Sequence, residues 1–156
     1  MKVLASLILL VLVNYAYSAD TTDVASCHDV LLPEVKISVD DVLCELGPCV
    51  VSPGAKIYVE VSFDTPVKLE NVKPKMTATV LGLDVDLPLN QDNACDGLLN
   101  TECPVEVGGH VDYAYTYSLT DVFPEVTATL TINLLDEDND NAEILCFSIE
   151  VQVKKS

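Results

Sequence analysis

The chain has 156 residues, with eight lysines, no arginine and 25 acids, for a formal net charge of −17. Such a surface repels nucleic acid and anionic headgroups, and without arginine it lacks the usual bidentate clamp for phosphate or carboxylate. The length suits a single domain around one hydrophobic core.

The first eighteen residues carry one charge, Lys2, and an apolar run from Val3 to Val13 broken only by Ser6. That run is too short to cross a bilayer, and small residues follow at Ala16-Tyr17-Ser18. Residues 1–18 therefore read as a secretory leader cut after Ser18. The remainder, 19–156, is expected to be one secreted domain with seven lysines against all 25 acids, a formal charge of −18. It contains no further stretch apolar enough for stable membrane insertion and no N-x-S/T glycan acceptor.

An even number of cysteines in an oxidising compartment implies bridges rather than metal ligands. Cys27 stands alone. Cys44 and Cys49 form a tight pair in CELGPC, Cys95 and Cys103 a looser one in ACDGLLNTECP, and Cys146 completes the set. Six cysteines allow 15 pairings. Each close pair can close a local loop, which would leave Cys27 and Cys146 to join the two ends. By loop entropy such a long-range bridge is worth roughly 4–5 kcal/mol.

Period-two alternation predicts strands in sequence order. Val35, Ile37 and Val39 alternate with polar neighbours, as do Ile57, Val59, Val61 and Phe63. Met76, Ala78 and Val80 form the next run, and Leu83, Val85 and Leu87 the one after it. The clearest case is Val126, Ala128, Leu130, Ile132 and Leu134 against three threonines and an asparagine. Phe147, Ile149, Val151 and Val153 repeat the pattern. Turn chemistry separates the runs at Gly47-Pro48, Pro53-Gly54, Pro66, Pro74, Asn90 to Asn93, Gly108-Gly109 and Asp136 to Asn141. About seven strands with no helical period argue for an all-β sandwich of two antiparallel sheets. The chain has no tryptophan, so the Cys…Trp…Cys pattern of an antibody domain is absent. The inward faces are mostly aliphatic. Packed tightly they make a plain core; splayed apart they line an apolar tunnel.

Chemistry-bearing clusters are few. His28 and His110 belong to no recognisable nucleophile arrangement, so no enzymatic activity is expected. The acidic run from Asp136 to Asn141 has the alternation of a calcium loop. However, Asn141 replaces the glycine of an EF-hand, and Phe147 stands where its bidentate glutamate would be. It reads as a charged hairpin, and neither metal nor cofactor is expected. Tyr113, Tyr115 and Tyr117 share one strand face, as a packing ladder or, through Tyr113, as a hydrogen-bonding anchor for a ligand head. A buried carboxylate head would need a lysine or water near the mouth.

The cysteine frame, PGAKIYVEVSF at 53–63, GLDVDLPL at 82–89, ACDGLLNTECP, the stretch from Pro104 to Pro124 and LCFSIEVQV at 145–153 together resemble the ML (lipid-recognition) domain family. That family includes the Niemann-Pick type C two sterol carriers and the group two mite allergens. The resemblance implies bridges Cys27–Cys146, Cys44–Cys49 and Cys95–Cys103. It also implies an immunoglobulin-like sandwich, with one lipid held between its sheets as the transported cargo. Leu87, Leu119 and Phe123 match positions at the pocket mouth. Val61, Phe63, Tyr113, Val126, Leu130, Ile132 and Phe147 match strand positions facing the cavity. Leu87 stands where the lysosomal sterol carriers have an aromatic ring, and Ile132 and Phe147 replace their pocket tryptophans. These departures, with the missing glycan acceptor, are more similar to the secreted arthropod-type branch. Its members resemble monomeric carriers of sterols, fatty acids or hydrophobic semiochemicals. Other members of the wider family resemble co-receptors that present lipid to a membrane receptor.

Overall fold

The computed structural model describes residues 20–28 and 32–155; the leader assigned to 1–18 lies outside them. Among the described residues ten strands form in chain order. They are β1 (Ala25–Ser26), β2 (Glu34–Val39), β3 (Val42–Leu43), β4 (Cys49–Val51), β5 (Lys56–Asp64), β6 (Val72–Val80), β7 (Leu83–Leu87), β8 (His110–Ser118), β9 (Val126–Asp136) and β10 (Ala142–Val153). Seven of them have five residues or more, as the alternation predicts; β1, β3 and β4 are short pieces with no periodic signal. Two short 3-10 turns complete the elements, at Ala94–Gly97 and at Glu137–Asn139 in the β9–β10 hairpin.

One sheet runs β1-β10-β9-β6-β7, with β4 also paired to β10; the other runs β3-β2-β5-β8. Every ladder is antiparallel except β4–β10. Register places the apolar residues of neighbouring strands side by side. Val126, Ala128, Leu130 and Ile132 stand opposite Val153, Val151, Ile149 and Phe147. In the facing sheet, Ile57, Val59, Val61 and Phe63 stand opposite Tyr117, Tyr115, Tyr113 and Val111. A one-residue slip in either ladder would turn a whole apolar row to solvent, so burial itself holds the register. Val61, Val111 and Phe147 are fully buried at the centre of the resulting core.

Pro74 departs from the sequence reading. It lies inside β6, opposite Leu134, rather than ending a strand. The β7 ladder reaches only residues 76–80, so Pro74 sits where β6 has a neighbour on one side alone. A missing donor is tolerated there.

The two long sides of the sandwich are closed differently. On one, Cys44 follows β3 and Cys49 opens β4, so their disulfide (Cα–Cα 5.8 Å) ties one sheet to the other. On the opposite side lie the edge strands β7 and β8, and the segment after β7 crosses between them. The Tyr113 hydroxyl donates to Gln91 Oε1 at 2.6 Å, and the Asn90 backbone N–H donates to the Tyr115 hydroxyl at 3.0 Å. Gly97 permits this crossing, since a Cβ there would stand 2.5 Å from the Ala114 carbonyl oxygen. The remaining bridges are Cys27–Cys146, across the β1–β10 edge, and Cys95–Cys103, which fixes the loop before β8.

Candidate ligand cavity

A cavity of about 180 Å³ lies between the sheets at the end where β5 begins and β8, β9 and β10 have their outer termini. Leu87, Leu119, Phe123, Val126 and Leu130, all assigned from sequence, border it. Tyr113 and Phe63 line a separate, nearly filled space at the other end of the sandwich, with Val111 and Leu134. Val61, Ile132 and Phe147 border neither; they are buried in the layer between the two spaces.

Ten further wall residues lie on the inward frame of the strands or beside it. Val51, Val151 and Val153 come from β4 and β10, Ala78 and Val80 from β6, and Val85 from β7. Ile57, Tyr117, Pro124 and Ala128 complete the wall. Two of these explain why space exists here. Leu130 pairs with Ala78 and Val151 with Ala128, so two alanines occupy inward positions where their neighbours carry larger groups. Alanines on the inward frame of adjacent strands were the available sequence signal.

The walls expose carbon only; no nitrogen or oxygen atom faces the interior. Tyr117 is the one wall residue with a side-chain polar atom, and burial pushes its phenol pKa upward, so it stays uncharged. Nothing inside the cavity can hydrogen-bond or ionise. Among the lining residues Val85 on β7 and Pro124 are exposed, so the cavity comes nearest to solvent between the β7 edge and the 119–124 loop. Around this mouth Val85 is half-exposed, and Leu81, Leu83 and Val122 are largely exposed.

The histidines lie away from this cavity. His110 Nδ1 is 2.8 Å from Asp64 Oδ1 and its Nε2 is 3.4 Å from Asp112; His28 Nε2 is 2.8 Å from Glu143. The Asp64 hydrogen bond is the main cause holding the His110 pKa above its ordinary value. In the acidic hairpin, Asp136 caps the 3-10 turn by accepting from the Asp138 N–H, and Asp138 accepts from the Asn71 side chain. Among the described residues no group of three or more histidines, cysteines or carboxylates is placed to hold a metal ion. No described helix is long and apolar enough to cross a membrane.

Fold and cavity together define the class: an all-β, disulfide-tied sandwich with an apolar pocket between its sheets. The family model for the ML domain matches residues 21–153, and the chain belongs to that family. It is similar to mite group 2 allergen Der f 2 of Dermatophagoides farinae, 26% identical over 144 residues that cover 92% of each chain. It is also similar to NPC intracellular cholesterol transporter 2 of Mus musculus, 23% identical over 155 residues, 98% of this chain and 99% of that one. Its fold matches the crystal structure of a Niemann-Pick type C2 protein from the Japanese carpenter ant, with a TM-score of 0.68. That match has 19% identity and covers 85% of this chain and 99% of that one.

Proposed function

We propose that this protein is a secreted carrier that takes one hydrophobic molecule between its sheets and shields it from water. The cargo class comprises sterols, long-chain fatty acids and hydrophobic semiochemicals. The observation that carries this reading is the carbon-walled cavity that comes nearest to solvent between β7 and the 119–124 loop. Burying about 300 Å² of apolar ligand surface gains roughly 7 kcal/mol, the equivalent of a dissociation constant of about 10 μM before immobilisation subtracts from it. An apolar cavity of roughly 150 Å³ holds a benzene. The resting volume therefore suits a ring or a short chain. A sterol or a longer chain needs the sheets to part at the hydrogen-bonded β7–β8 side, or the layer around Ile132 and Phe147 to yield. Binding, with no chemistry on the cargo, is the whole activity.

The test is a native mass spectrum of the oxidised protein, gently purified, followed by organic extraction. A stoichiometric hydrophobic adduct, or uptake of one equivalent of added cholesterol or oleyl alcohol, supports the carrier. A clean ligand-free mass with no uptake of either overturns it.

A second reading, a lipid-dependent interaction module or co-receptor, draws on Leu81 and Val122, which are 98% and 86% exposed beside the mouth. Lipid-dependent capture of one membrane receptor, lost on Leu81→Ser, would favour it over free diffusion of a loaded monomer.

A further inference from the structure

We infer that the cavity selects uncharged hydrophobic ligands, such as alcohols, aldehydes, esters and hydrocarbons, and discriminates against long-chain carboxylates and other amphiphilic anions. The inference rests on the carrier reading and narrows its cargo. An anionic head cannot enter, because the walls expose no polar atom to receive it and an unpaired buried charge is prohibitively costly. The head must stay at the mouth, in water.

The mouth repels it there. The two segments that frame the opening, 81–89 and 117–126, contain no lysine or histidine. Asp121 and Glu125 lie in the second of them, while Asp84 and Asp86 stand on the outer face of the β6–β7 pair, accepting from Thr79 and Thr77. The lysines nearest in the strand ladders are placed elsewhere. Lys75 is 3.4 Å from Asp86 on the outer face of the β6–β7 pair, where Asp86 also accepts from Thr77. Lys56 alternates with the inward Ile57 and is exposed, so it projects from the outer face of β5. Lys154 and Lys155, beyond the end of β10, lie beside Glu125, which accepts from the Lys155 backbone N–H. The whole chain adds its formal charge of −17. A hydroxyl or ester head at the mouth is hydrated as it would be in bulk water and feels none of this.

The test compares 1-decanol with decanoate at pH 8, a pair matched in chain length, by displacement of an apolar fluorescent dye from the oxidised protein. Decanol is expected to bind at least about tenfold more tightly at 10 mM salt. The gap should shrink at 500 mM, where the Debye length falls from roughly 30 Å to under 10 Å. Val122→Lys, at an exposed position between Leu119 and Phe123, should tighten decanoate several-fold and leave decanol unchanged. Decanoate binding as tightly as decanol at low salt would overturn the inference while leaving the carrier standing. So would a Val122→Lys variant that leaves decanoate unchanged. Failure of both ligands to bind would overturn the carrier reading and this inference with it.

Discussion

The hydroxyl of Tyr113 donates to Oε1 of Gln91 at 2.6 Å, tying the inner face of β8 to the segment that leaves β7. Burial raises the phenol pKa further above its ordinary value, so the hydroxyl remains a donor throughout the physiological range. With the Asn90–Tyr115 bond it forms the non-covalent closure of the sandwich, opposite the covalent one at Cys44–Cys49. The side held by these hydrogen bonds is also the side of β7, which contributes Val85 and Leu87 to the cavity wall.

Removing this tie should loosen that side. Tyr113→Phe deletes one hydrogen bond whose acceptor, on a part-exposed glutamine, can return to water; the expected cost is about 0.5–1.5 kcal/mol. Urea unfolding measures that cost. Stopped-flow ligand release should also be faster than wild type. A stability loss with unchanged release would mean the tie does not gate the mouth.

The β6–β7 hairpin carries a cost of its own. Its two-residue turn is Leu81-Gly82, with φ of 51° and 79°, a left-handed pair that matches the sheet twist and that glycine and asparagine adopt readily. Leucine does not, and at 98% exposure Leu81 recovers nothing by burial. Leu81→Asn should raise stability by about 0.5–1 kcal/mol in thermal or urea unfolding. Unchanged or lowered stability would show that the turn is not strained.

His110 should titrate above its ordinary value of 6.5 because its proton is held by Asp64, with Asp112 adding attraction. The folded state binds that proton more tightly than the unfolded chain does. The associated stabilisation is therefore complete below 6.5 and disappears as pH rises through the raised folded value. In an NMR titration, Asp64→Asn should move the His110 midpoint downward. The stability gap between wild type and variant should close as pH rises through the raised folded value. An unmoved midpoint would show that the pair is not formed in solution.

The inward frames of β2, β5, β9 and β10 were legible because Val and Ile alternate with polar residues at strict period two. That periodicity carries through to burial: Ile37, Val59, Ile132 and Ile149 are all buried. Alternation identifies a face but not the spacing between two faces. Leu130 and Ile132 share a frame, yet one borders the cavity and the other is packed beneath it. What separates them is the partner across the ladder, Ala78 against Met76, and that depends on long-range register. Pro74 misled for a related reason. A proline breaks a strand only where both sides need donors, and how far β7 extends is not written in the local sequence.

The central claim is that cargo occupies the space beside Ala78 and Ala128, and calorimetric titration of 1-decanol into wild type and Ala128→Leu tests it most directly. Ala128 is buried on the cavity wall, and leucine there fills the void with side-chain carbon while its other contacts stay in place. Wild type should bind one equivalent. The variant should bind at least about tenfold more weakly with a melting temperature equal to or above wild type, because a filled cavity commonly adds stability. Equal affinity in a stably folded Ala128→Leu variant would contradict the account, since the ligand would then be held somewhere other than between the sheets.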